Sequence, residues 1–196
     1  MDMPERYRQV AALHAANIDQ GFLATLGIPF LSLMYQAIDE APGSVLIVDE
    51  REGRVTGFVT GGIGMRPVYR RMLRQPLRLA LSLLPSLIRL RRLKRIVDIL
   101  RYSGGASQPS ALPAAELLSI AVDPAWRGKG IAESLYRRLV AHFDGDGVRA
   151  FRIVVGDGLL PAHRFYLRMG AKPAGKIEVH AGQASVVYVQ QSGRNS

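Results

Sequence analysis

Apolar residues recur at helical spacing in two N-terminal stretches. Over residues 6–18 the stripe passes through Val10, Leu13 and Asn17, and over residues 29–38 through Phe30, Met34 and Ile38. Both patterns predict helices, the second with Pro29 near its first turn, where a missing N–H costs nothing. The texture then changes. Residues 44–48 and 55–60 are short runs rich in β-branched side chains, and the stretch between them, Asp49 to Gly53, has turn character. They predict a β-hairpin.

The next segment, entered through Gly61, Gly62 and Gly64 and left through Gly104 and Gly105, returns to helical spacing. Leu73, Leu77, Ala80, Leu81 and Leu84 fall on one face, with Arg70, Arg74 and Arg78 four apart on another. Pro85 interrupts, and Leu90, Leu93, Val97 and Leu100 form a second stripe. The pattern predicts an amphipathic helical hairpin inserted between two strands. After a Pro/Ser/Gly-rich loop, a strand is expected at 116–122 and a helix at about 130–143, burying Leu135, Leu139 and Phe143. A strand at 148–155 and a short helix at 161–169 follow, the helix ended by Gly170 at a left-handed cap. Residues 176–180 and 185–190 close the chain as a terminal hairpin, a possible surface for a homo-oligomer. This order gives an α/β domain with a mixed sheet. The chain of 196 residues suits one domain, 1–196, with 66–102 as a basic helical insertion.

Composition narrows the chemistry. With 48% hydrophobic residues the chain has the means to build a core. It has no cysteine, which removes disulfides, thiolate metal sites and a cysteine nucleophile together, and its four histidines lack metal-ligand spacing, so no metal is expected. The N-terminus has no apolar signal region, and the longest apolar stretch is about half of the ~20 residues a membrane span requires. The cytoplasm is the expected compartment. The formal charge of +10 is unevenly placed: from Arg66 to Arg101 stand eleven Lys or Arg against one acid, Asp98. That one segment holds the entire excess, so electrostatic arguments about partners concern it alone.

The most informative stretch runs from Leu117 to Ala132. A strand ends, Pro124 turns the chain, and Gly128 and Gly130 sit where a helix begins. Free N–H groups in a helix's first turn suit a phosphate or pyrophosphate, and Arg127 and Lys129 add charge beside them. A plain strand-to-helix turn with glycines placed for packing is the competing reading. Neither a Walker A loop nor GxGxxG fits, which disfavours nucleoside triphosphates and dinucleotides.

Val122, Pro124, Arg127, Gly128, Gly130 and Ala132 fill every fixed place of V-x-P-x-x-R-G-x-G-x-[GA]. That pattern, following a strand and opening a helix, resembles motif A of the GNAT superfamily of N-acetyltransferases. The second signature of that family, N-x-x-A-x-x-x-Y-x-x-x-G, is matched at Ala162, Tyr166 and Gly170, but Leu159 stands in the place of the asparagine and Pro161 precedes the alanine. The resemblance implies a GNAT-like mixed central sheet with helices on both faces, with the basic hairpin inserted between the third and fourth strands. It implies an acetyl-CoA-dependent N-acetyltransferase that uses Arg127, Gly128, Lys129, Gly130, Ile131 and Ala132 for the pyrophosphate. The strand backbone at Ile120, Ala121 and Val122 would hold the pantetheine arm.

Acetyl transfer by direct attack in a ternary complex needs a neutral amine, a donor for the departing thiolate and N–H groups for the oxyanion. The resemblance points to Tyr166 as the donor; packing beside Phe165 and Met169 is its alternative role. Glu116 is the candidate base, sharing a face with Leu118 and Ile120 if the strand alternates regularly. Asp123 is expected to serve the turn, Trp126 to pack beside the loop and His14 to be structural. Eleven cations near an acceptor entrance would favour a small, anionic amine, such as an amino sugar conjugate. The other readings are a CoA-binding module docking on an anionic membrane or on nucleic acid, and a peptide N-acetyltransferase. With Tyr69 and Tyr102 as the hairpin's aromatics, nucleic acid has little support.

Overall fold

In the computed structural model, which describes residues 4–18, 26–83, 112–180 and 183–193, the two N-terminal stripes are helices α1 (Glu5–Asn17) and α2 (Ile28–Glu40). Helix α2 has no side-chain N-cap, an omission worth ~1 kcal/mol. It buries Phe30, Leu31, Leu33, Met34, Tyr35 and Ile38, each contributing roughly 1.5–3 kcal/mol of transfer free energy. Burial, not capping, holds it.

Strands β1 (Ser44–Arg51) and β2 (Arg54–Gly62) form the expected hairpin, closed by Glu52 and Gly53. Two short helices follow, α3 (Arg66–Leu73) and α4 (Pro76–Leu83). Then come β3 (Ala115–Val122), α5 (Ile131–Gly145), β4 (Ala150–Gly156), α6 (Leu160–Arg168), β5 (Lys172–His180) and β6 (Gln183–Gln191). The sheet order is β1-β2-β3-β4-β6-β5, with β3 and β4 parallel and the other neighbours antiparallel. One apolar cluster joins α1 to α4 with Phe58 and Ala121; the other joins α5 and α6 with Val59, Leu117 and Ile153. Helices therefore cover both faces of a mixed sheet.

The basic segment departs from expectation in three ways. It lies between β2 and β3, the second and third strands, because among the described residues two helices and no further strand precede the first hairpin. A break that the spacing does not predict comes at Pro76, which has no N–H to donate and disfavours helical backbone at Gln75, so α3 and α4 are separate helices, while Pro85 lies outside the described residues. That break also resets the phase. Leu73, Leu77 and Leu81 face outward, Leu77 being 79% exposed, while Val68, Met72, Leu79 and Leu83 are buried. The expected second helix, with Leu90, Leu93, Val97 and Leu100, lies outside the described residues. Among the described residues no helix is long and apolar enough to cross a membrane.

Candidate active site

Strand β3 carries the site because only half of it is paired on the β4 side. Ala115, Glu116 and Leu117 register with Phe151, Arg152 and Ile153; from Leu118 to Val122 β3 has no β4 partner. Those backbone groups are left to bond water or a ligand laid along the strand. On its other edge β3 stays paired with β2, through Gly57↔Val122 and Thr60↔Ser119.

That second pairing holds an irregularity. Thr60 faces Ser119 but Gly61 faces Leu117, so Leu118 is an extra residue in the ladder, a β-bulge. Ala115, Leu117, Ile120 and Val122 consequently pack into one cluster. Glu116 therefore shares its face with Ser119 and Ala121, not with Ile120 as regular alternation had predicted. It points to the α1–α2 side.

Past Val122 the Asp123 carboxylate accepts from the Ala125 N–H at 2.9 Å, fixing the turn that Pro124–Trp126 makes. Gly128 and Gly130 have φ of +74° and +77°. A side chain at either would meet open space, with no protein atom within 4 Å of its Cβ. Packing therefore does not call for glycine here; the left-handed backbone does. The conformation leaves the N–H groups of residues 128–132 without an acceptor among the described residues, while Ser134 N–H already bonds Gly130 O at 3.0 Å. Five amides at the start of a fifteen-residue helix, with its dipole behind them, form an anion site.

These groups open onto a cavity of about 460 Å³ between the loop, the free half of β3 and α6, lined among others by Ile120, Ala121, Arg127, Ala132, Phe165 and Tyr166. Lys129 lies over the Trp126 ring at 4.2 Å, so Trp126 serves as a platform for a loop cation. Across the cavity, Arg168 pairs with Glu133 at 2.7 Å, and the Glu133 carboxyl is held below its ordinary range by its own backbone N–H and then by Arg168.

Helix α6 presents Tyr166. Its ring packs on Phe165, Tyr136 and Tyr188, and it is 5% exposed. Its hydroxyl has no hydrogen-bond partner among the described residues. Burial pushes the phenol well above its usual range, so it stays protonated at neutral pH. His163 ties this helix to the sheet, bonding Tyr188 Oη at 2.8 Å and Gly156 O at 3.1 Å. Leu159 is the helix's N-cap, without a side-chain bond.

Glu116 does not line the cavity. Its Oε2 accepts from both Nε and Nη2 of Arg152, at 2.9 and 2.7 Å, while Oε1 has no partner among the described residues. His14 is buried and bonds Tyr35 Oη at 2.5 Å; that hydroxyl reaches Ser119 Oγ at 3.3 Å, and Ser119 Oγ reaches Thr60 Oγ1 at 2.7 Å. Among the residues outside the sequence-level site that reach the cavity are Glu133 and Arg168, whose helical positions carry no motif, and Asn17, which falls in the apolar stripe of α1. Among the described residues no group of His, Asp and Glu is placed to hold a metal ion.

A sheet opening between two parallel strands onto a glycine-rich helix start is an arrangement that this chain shares with a family of acyltransferases. Residues 15–171 match the model of the acetyltransferase (GNAT) family. The chain belongs to the GNAT family of acetyltransferases. No curated protein matches it in sequence. Among solved structures, it resembles an N-acetyltransferase from Staphylococcus aureus Mu50 with a TM-score of 0.61 at 16% identity, covering 96% of this chain and 94% of that one. It also resembles Arabidopsis thaliana NAA60 in complex with acetyl-CoA (TM-score 0.58, 18% identity, 96% and 94% covered). A third is an aminoglycoside 6'-N-acetyltransferase complexed with coenzyme A (0.59, 10%, 98% and 94%). These likenesses show a shared fold.

Proposed function

We propose that this acyltransferase moves the acetyl group of acetyl-CoA to the amine of a small acceptor, by direct attack in a ternary complex. The observation that carries the reading is the unpaired half of β3 ending at five free amides. The pyrophosphate lies on Arg127 to Ala132, and the pantetheine arm runs along Ile120, Ala121 and Val122. The acceptor nitrogen attacks the thioester carbonyl carbon, and the C–N bond forms as the carbonyl oxygen takes up negative charge. A free N–H of β3 stabilises that oxyanion. Collapse breaks the C–S bond, and Tyr166 donates its proton to the leaving sulfur. The proton lost from nitrogen passes to water and on to Oε1 of Glu116, the carboxylate oxygen that Arg152 does not hold. Arg152 holds the carboxylate in place.

The basic helices support an anionic acceptor. Gly62, from which α3 departs, is paired with Glu116, so Arg66, Arg70 and Arg74 leave the sheet at the Glu116 end of β3. Cations there raise the local concentration of an anionic amine, which is a salt-dependent effect. An amino sugar conjugate is such an amine, and the cytoplasm is the compartment we assign. One observation favours a second role: exposed Leu73, Leu77 and Leu81 next to Arg70 and Arg74 suit peripheral contact with an anionic membrane. Liposome co-sedimentation tests it, and unchanged binding by Leu77→Asp/Leu81→Asp would remove it.

The central test is a thermal-shift comparison followed by a CoA-release screen over amino sugars, their nucleotide conjugates, polyamines and peptides. Acetyl-CoA should raise the melting temperature and NAD should not. A protein stabilised by neither has no such site, and one that binds acetyl-CoA without releasing CoA to any amine is a binding module.

A further inference from the structure

Asn17 joins two parts of the molecule that the sequence keeps far apart. It is the last residue of α1 and lines the same cavity as the glycine loop. Its side-chain Nδ2 donates to Leu13 O at 2.9 Å, which fixes the amide's orientation and aims Oδ1 outward. That oxygen accepts from Nη2 of Arg127 at 2.6 Å, across 110 residues of sequence. Arg127 Nε donates in turn to Val122 O at 3.3 Å, the carbonyl at the end of the free half of β3.

From this geometry we infer that Asn17 is a positioning residue for the cofactor: it holds the Arg127 guanidinium in place to receive the pyrophosphate. A guanidinium has five N–H donors in a rigid plane. Two are committed to Asn17 and Val122, so the plane is set, and the rest have no partner among the described residues. An exposed arginine otherwise gives up much rotamer freedom on meeting a phosphate, and fixing it beforehand removes that cost. The C-terminus of α1, the negative end of its dipole, also favours a cation at this place. Helix α1 and the glycine loop are thereby coupled through one side chain. This inference rests on the acetyl-CoA reading above.

The test is a double-mutant cycle in the full-length protein, read by calorimetric titration with CoA. Asn17→Ala should weaken CoA binding about tenfold, the scale of a hydrogen bond to a charged group. In an Arg127→Ala background the same change should have little effect, because Asn17 acts through the arginine. The kcat/KM for S-acetylpantetheine, a donor without the pyrophosphate, should be the same for Asn17→Ala and wild type. A general loosening of α1 would lower both donors alike and appear in both backgrounds; that result overturns the inference. So does tighter CoA binding by Asn17→Ala, which would make Asn17 a competitor for Arg127. Wild-type protein that binds CoA with Asn17→Ala unchanged removes the role of Asn17 alone; wild-type protein that does not bind CoA removes the acetyl-CoA reading with it.

Discussion

At the scale of single residues, Gly130 and Tyr166 answer different questions. Gly130 sits at φ +77° with open space around it, so Gly130→Ala meets no clash but carries backbone strain of roughly 1–2 kcal/mol. The loop can relieve that strain by turning its amides away from their common point. We expect acetyl-CoA affinity to fall severalfold while the melting temperature moves by a few degrees at most; calorimetry beside a thermal melt reads both. Tyr166 is buried, protonated and, among the described residues, without a polar partner. Its replacement by Phe removes one oxygen and keeps the ring stacking on Phe165, Tyr136 and Tyr188. Turnover should drop by about 10² or more while CoA affinity holds, general acid catalysis being worth that much. An unchanged kcat would leave Tyr166 as a core tyrosine and nothing more.

At the scale of elements, the site depends on how closely α5 lies on the sheet. A Cβ at Gly61 of β2 would fall 2.7 Å from Leu139 Cδ1 and from Phe143 Cζ, both on α5. Real Cβ atoms do not come so close, so Gly61→Ala must push the helix back or force its side chains off their rotamers. Overpacking of this kind costs about 1–3 kcal/mol, which a denaturant titration would show as a lower midpoint. The order of elements was legible in the sequence because apolar spacing and glycine or proline punctuation agree at most boundaries. The loop at 127–132 was legible because its backbone demands particular residues at particular places. Other features lie beyond local pattern. The bulge at Leu118 arises from the register of β2 against β3, and it turned Glu116 to the opposite face from the one alternation predicts. The reset at Pro76 turned Leu73, Leu77 and Leu81 outward, though a periodicity count across the proline places them inside. Asn17 acquires its role only from a contact made by folding.

At the scale of the whole molecule, the helical layer and the sheet are joined by a buried polar chain, and its histidine makes stability depend on pH. His14 on α1, Tyr35 on α2, Ser119 on β3 and Thr60 on β2 are linked by hydrogen bonds. Burial lowers the His14 pKa from 6.5 to about 4, since a charged imidazole would lose its hydration there. In the unfolded chain the ring titrates near its ordinary value, so between those two values the unfolded state binds more protons than the folded one. Stability must therefore rise with pH across that window. The contribution is fully present above pH 6.5 and is lost as pH falls toward 4. Carboxylates titrate in the lower part of the same range, so the wild-type curve alone does not isolate the histidine. His14→Gln keeps a polar partner for Tyr35 and removes the titration. Its stability deficit relative to wild type, measured by denaturant unfolding, should be largest at pH 7 and shrink steadily toward pH 4. A deficit that stays constant across that range would mean that His14 is already solvated in the folded protein, and that this chain does not bind the two layers together as drawn.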